Sequence, residues 1–154
     1  MNGWLLDTNV IAELTRPHGT IRVQHWAAAQ EEDRLFISVL TLGEYDKGLH
    51  YLPPDNPLCP RIAAGIAALE VRFAARILTL TGSIVRRWGV ISGQTKRLTG
   101  QSPPVIDTLL AATAIEHDLC LVTRNVRDVQ HSGATLLNPW DGDTGGRRET
   151  ARRS

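Results

Sequence analysis

Asp7 stands directly after an apolar run, Trp4-Leu5-Leu6, and is followed by Thr8-Asn9. Three more polar side chains, Glu44, Asp107 and Asn125, fall at comparable points further along. Each sits at the end of an expected strand or in a helix that starts near one. In an open α/β sheet such positions converge on one crevice outside the carboxyl ends of the strands. Carboxylates gathered there repel one another: at an effective dielectric of about 20 and ~5 Å separation, each pair costs ~3 kcal/mol. A divalent cation relieves that repulsion, and oxygen ligands select Mg²⁺ or Mn²⁺ over zinc. The expected chemistry is metal-dependent chemistry on phosphate.

Each position also has an ordinary structural use. Asp7 and Asn125 are residue types that favour helix caps and tight turns. Glu44 lies in a helix opened by Ser38, a good N-cap, where it could form a solvated i,i+3 pair with Lys47. Asp107 follows Pro103-Pro104-Val105-Ile106, an ordinary helix start, but it interrupts an otherwise apolar helix. A buried charge of that kind must be paired or bound to a cation.

The elements that must position these residues alternate along the chain. Short β-rich runs occur at Trp4–Leu6, Leu35–Ser38, Ile77–Leu80, Cys120–Thr123 and Thr135–Leu137. Between them Ile62, Ile66, Leu69 and Phe73 form one apolar helical stripe, and Ile84, Trp88, Ile91, Thr95 and Leu98 form another. Val105–Ile115 is apolar nearly all round, as expected of a helix buried against a sheet. Pro53, Pro54, Pro57 and Pro60 mark a break between helices. Alternation with short connections implies a parallel sheet covered on both faces.

The 154 residues favour one domain, and a hydrophobic content of 42% argues for a soluble globular protein. No stretch approaches the ~18 apolar residues of a membrane span, and the start lacks the n- and h-regions of a signal peptide. Cys59 and Cys120 have no partner at metal-ligand spacing, which fits a reducing, cytoplasmic setting. The formal net charge is +1, but Gly145 to Ser154 carries Arg147, Arg148, Arg152 and Arg153 against Glu149. Without that stretch 13 basic and 15 acidic residues remain, a net of −2. A general polyanion binder is therefore excluded. Nucleic-acid contact must be local, with Arg86, Arg87, Lys96, Arg97, Arg124 and Arg127 as candidates.

Taken in order, Leu5-Leu6-Asp7-Thr8-Asn9-Val10-Ile11, Ile37-Ser38-Val39-Leu40-Thr41-Leu42-Gly43-Glu44, Asp107-Thr108-Leu109-Leu110-Ala111-Ala112-Thr113-Ala114 and Leu121-Val122-Thr123-Arg124-Asn125 resemble the signatures of the PIN-domain family. They are most similar to its VapC/FitB branch, the toxins of type II toxin–antitoxin pairs. The closing Leu137-Asn138-Pro139-Trp140 is similar to the FitB-like end of that branch. The resemblance implies a three-layer α/β fold, with a central parallel sheet of about five strands flanked by helices. It places the PIN domain at residues 1–140, ahead of a disordered basic tail at 141–154.

The resemblance further implies a Mg²⁺- or Mn²⁺-dependent endoribonuclease. Asp7, Glu44 and Asp107 would be metal ligands and, with Asn125, the catalytic set. Asn9, Ser38 and Thr41 would orient the carboxylates, and Arg124 would contact substrate. Asn125 stands where many members carry a fourth Asp, which lowers the formal charge of the site from −4 to −3. Asp128, one helical turn on, could compensate for that loss, but it reads more readily as a surface residue. Expected partners are a small cognate antitoxin and the RNA substrate, in a homodimer or an antitoxin-bound hetero-oligomer, with operator DNA met only through the antitoxin and no membrane. Two alternatives stand beside this reading. A degenerate PIN domain would serve mainly as an antitoxin-bound corepressor subunit. A haloacid-dehalogenase-type phosphatase would need an acid two residues after Asp7, where this chain has Asn9.

Overall fold

The computed structural model describes residues 1–141 of the chain. Five parallel strands, β1 (Trp4–Leu6), β2 (Leu35–Ser38), β3 (Ile77–Leu78), β4 (Cys120–Val122) and β5 (Leu136–Leu137), form one sheet in the order β3-β2-β1-β4-β5. Six helices connect them: α1 (Thr8–Thr15), α2 (Ile21–Ala28), α3 (Val39–Tyr51), α4 (Leu58–Phe73), α5 (Gly82–Thr99) and α6 (Val105–Glu116). This is the α/β architecture expected, with an all-parallel sheet of five strands. The expected basic tail lies outside the described residues, apart from Asp141, whose amide closes a turn on Asn138.

The two-residue period of the strands divides the core into layers. Leu6, Ile37 and Val122 point to one face, where Val10, Ile11, Val23, Leu69 and Phe73 meet them. Leu5 and Leu121 point to the other, against Leu110, Ala111 and Ala114 of α6. Outside that layer α5 packs on α6 through Ile84, Ile91 and Ala112. Gly3 opens β1 at φ 153°, and a Cβ there would lie 2.4 Å from the Arg34 carbonyl oxygen, so only glycine lets β1 approach its neighbour so closely.

Several expected bounds needed correction: β4 ends at Val122 rather than Thr123, and β5 begins at Leu136 rather than Thr135. The third strand stops at Leu78, leaving Thr79 and Leu80 exposed, and the stripe of α5 ends at Thr95. Leu98 is 70% exposed and borders an open hollow with Gln94 and His131, where no helix covers it. Both cysteines are free, and burial pushes the Cys120 thiol up to about 12, so it serves as an inert core residue. Among the described residues no helix is long and apolar enough to cross a membrane.

The strand order sets the position of the site. From β1 the chain winds outward through β2 to β3, then returns to the other side of β1 with β4 and β5. The winding therefore reverses between β1 and β4, the kind of crevice in which open α/β sheets bind ligands. The register pairs Leu6 with Val122, which brings Asp7 and Thr123 together at the carboxyl edge.

Candidate active site

Asp7 continues β1 by one residue and caps α1. Its backbone is extended (φ −70°, ψ 158°), and its Oδ1 accepts the Thr8 amide at 2.6 Å. Its Oδ2 accepts the Thr123 hydroxyl at 2.7 Å, a bond that spans the reversal point between β1 and β4. The carboxyl is 5% exposed. Burial raises its pKa, and the hydrogen bonds from Thr123 and Thr8 work against that rise by stabilising the charged form. Capping and candidate chemistry therefore coexist in one side chain.

Glu44 reaches the same mouth from α3. Ser38 caps that helix through its hydroxyl, which accepts the Leu40 amide at 3.0 Å. The Thr8 hydroxyl donates to Glu44 Oε1 at 2.7 Å and lies 3.2 Å from the hydroxyl of buried Thr41. Thr8 has one hydroxyl proton, and the carboxylate is its stronger acceptor, so Thr41 donates to Thr8 in turn. The chain Thr41–Thr8–Glu44 holds this carboxylate in place. The expected pair with Lys47 is not among the ion pairs of the described residues.

Asp107 enters from the first turn of α6, half-buried. Among the described residues its carboxylate has no hydrogen-bond partner. Its pKa is pushed up to about 6, chiefly by burial, then by the negative charges of Asp7, Asp128 and Glu44. Asp107 is thus the point at which the separate carboxylates feel one another. The N-termini of α1, α3 and α6 all open on this mouth, and their dipoles offset part of its negative charge.

The remaining expected residues fall around this centre. Asn125 is exposed, and its backbone amide donates to the Thr123 hydroxyl at 3.0 Å. Ser38 and Asn9 do not reach a carboxylate, contrary to expectation. Ser38 caps α3, and the Asn9 side-chain oxygen accepts the Arg124 amide at 3.5 Å. Backbone amides at helix and strand ends need acceptors, and these two short side chains are the nearest. Of the three, Thr41 alone acts on a carboxylate, and it does so through Thr8.

The roles of Thr8 and Thr123 went unnoticed in the sequence. A hydroxyl beside each strand-end polar residue was the available signal. Its partner, however, lies 116 positions away for Thr123 and 36 for Thr8.

The donor set consists of oxygens only, two of them carboxylates with raised pKa, and this fits a hard cation. Among the described residues no three His, Cys, Asp or Glu side chains come close enough to cage an ion by themselves. Mg²⁺ characteristically takes one or two carboxylates and keeps several waters, so a site of this kind would need only one or two of these carboxylates as direct ligands. Beside Glu44 runs an open apolar groove of about 510 Å³, walled by Val39, Leu40, Tyr51 and Ile106, with Lys47 at its edge.

Residues 4–131 match the family model described as PIN domain. Toxin FitB of Neisseria gonorrhoeae is 31% identical over 139 residues, covering 88% of this chain and 97% of the relative. A VapC ribonuclease of Sinorhizobium fredii is 28% identical over 137 residues, covering 89% and 97%. The solved FitAcB structure from Neisseria gonorrhoeae superposes with a TM-score of 0.78 at 27% identity, over 89% of this chain and 98% of that one. The ordered motifs, the parallel sheet and the carboxylates at its reversal point agree with these matches, and the chain belongs to the PIN-domain family, in the branch that holds VapC and FitB.

Proposed function

We propose that this chain is the toxin of a type II toxin–antitoxin module, a Mg²⁺- or Mn²⁺-dependent endoribonuclease of the cytoplasm. The observation that carries the reading is the buried Asp7 carboxylate at the reversal point, held by Thr123 and Thr8 and felt electrostatically by Asp107. Asp7 and Asp107 would hold the cation. When bound, the cation offsets charge on the reacting phosphoryl group and lowers the pKa of nearby water. Glu44, aligned by Thr8 and Thr41, accepts the proton of the attacking water. Attack by water rather than by the ribose 2′-hydroxyl leaves a 5′-phosphate and a 3′-hydroxyl. Asn125 at the rim tunes the charge of the site, and Arg124 meets the substrate.

A free ribonuclease is harmful to its own cell, which requires a cognate antitoxin. The antitoxin places an Arg or Lys in the acidic mouth and lays an apolar helix face in the groove beside Glu44. Operator DNA is met through the antitoxin. The exposed Asn125, in place of a fourth acid, favours the second reading of a metal-poor subunit that only binds its antitoxin.

Purified protein incubated with RNA and Mn²⁺ or Mg²⁺ separates the two readings. The expected result is cleavage that a chelator abolishes, together with growth arrest on expression and relief by the neighbouring small gene. Metal-bound protein that leaves every RNA intact, with harmless expression, would overturn the nuclease reading.

A further inference from the structure

Arg124 directly follows Thr123, the threonine that anchors Asp7, and is therefore one residue from the acidic centre. Its guanidinium carbon lies 5.2 Å from the centre of the Trp140 ring. Trp140 is itself held firmly. It packs against the core layer of α1 and α2, its amide donates to the Asn138 side-chain oxygen at 2.9 Å, and its carbonyl accepts from Arg22 Nη1 at 2.8 Å. Arg22, on α2, thus brings a second guanidinium to the backbone of the same residue. Both arginines are exposed.

Like Arg34, Arg61, Arg86, Arg97 and Arg127, these two carry a charge that no carboxylate meets among the described residues. Arg16, Arg72, Arg76 and Arg87 each pair with a carboxylate, whereas Arg124 and Arg22 form no ion pair among the described residues. An unneutralised cation one residue from Thr123 at a net-negative mouth, with a second bonded to the carbonyl of the tryptophan it stacks on, has a clear electrostatic use. A polyanionic strand approaching Asp7, Glu44 and Asp107 is repelled, and cations on the rim offset that repulsion. Arginine suits this task because its planar fork matches phosphate bidentately. Stacking on an indole fixes the guanidinium beforehand, so less conformational freedom is lost when phosphate binds.

We propose that Arg124 seated on Trp140, with Arg22 beside it, is a positioning rim. It grips a backbone phosphate of single-stranded RNA next to the bond presented to the acidic site. The assignment rests on reading that site as the nuclease centre, and it adds Trp140 and Arg22 to the substrate-handling residues. Trp140 acts through Arg124 and is a positioning residue.

The test is binding of a short, labelled single-stranded RNA to full-length protein over a range of salt, in an Asp7→Asn background that stops cleavage. Arg124→Ala should weaken binding about tenfold and shallow the dependence of log affinity on log salt by about 0.7, the value for one phosphate contact on a single strand. Arg124→Lys should keep the slope and lose most of the affinity. Trp140→Phe should retain both, and Trp140→Leu should behave like Arg124→Ala. With the active protein, Arg124→Ala should raise KM more than it lowers kcat. Unchanged affinity and slope in Arg124→Ala, at an exposed position, would overturn the rim even if metal-dependent cleavage is intact. Absence of metal-dependent cleavage in the wild type would instead sink the nuclease reading, while the salt slopes still report on the rim.

Discussion

The two edges of this sheet handle charge in opposite ways. At the amino ends of β2 and β3, Glu32 accepts two hydrogen bonds from Arg72, at 2.8 and 3.1 Å, and pairs with Arg76 at 3.3 Å. Arg76 also donates to the carbonyls of Glu32, Leu35 and Arg72, and both guanidiniums lie over the Phe73 ring, at 5.1 and 4.9 Å. Hydrogen bonding from Arg72 is the largest cause of the lowered pKa of Glu32. At the carboxyl ends the carboxylates meet hydroxyls, amides and one another, and the pKa values of Asp7 and Asp107 rise. A neutralised cluster ties elements together and has no call on a ligand. An unneutralised one costs stability until a cation binds. That contrast marks one edge as structural and the other as functional.

Breaking the functional edge should have the largest effect. Asp7→Asn should lower metal-dependent cleavage by more than about a hundredfold, beyond the loss typical of outer partners of a metal site. It should leave the metal-free fold equally or more stable, since a repelling charge is removed. Cleavage at the wild-type rate with verified Mg²⁺ dependence would void the site assignment.

The structural edge should break differently. Arg76→Ala removes donors to three carbonyls and a ring contact, so urea unfolding should show a loss of roughly 2 kcal/mol. Cleavage per folded molecule should stay the same. If stability held and activity fell, the division between the two edges would be wrong.

Thr123→Val tests the link across the reversal point. Without its hydroxyl the Asp7 carboxylate loses the bond that best opposes its desolvation, so cleavage should fall about tenfold with the fold retained. An unaffected rate would show that the Thr8 amide alone positions Asp7.

The smallest effect is in the pH dependence, and here the two edges have opposite signs. Asp107 ionises near 3.8 when unfolded and at about 6 when folded, so between those values the folded state holds the extra proton. Metal-free stability should therefore fall as pH rises from about 4 to about 6, by about 1 kcal/mol once exposure to solvent is discounted. Glu32 has a lowered pKa, so its contribution is present above its unfolded value of 4.5 and is lost as pH falls. Asp107→Asn should remove the decline toward neutral pH, and Glu32→Gln the decline on the acid side. A metal-free stability curve that rises from pH 4 to 6 in Asp107→Asn and wild type alike would show that Asp107 is not coupled to its neighbours.

Local pattern carried much of this protein into view from the sequence. Apolar runs flanked by turn-forming residues marked all five strands, with β1 and β2 correct to the residue, because alternation of side chains is a property of the chain itself. Ser38 as an N-cap and the stripe through Ile66, Leu69 and Phe73 were readable for the same reason. So was the placing of Asp7 and Asp107 at element boundaries. Only the tertiary structure decided what those residues touch. Strand order puts Thr123 on Asp7 and Thr8 on Glu44. It also brings Asp128, exposed as its surface reading suggested, close enough to Asp107 to raise its pKa. It directs Ser38 and Asn9 to backbone amides and seats Arg124 on Trp140. The physical reason is range: helix and strand periods act over a few residues, whereas hydrogen bonds and charge coupling depend on which distant segments the sheet makes neighbours.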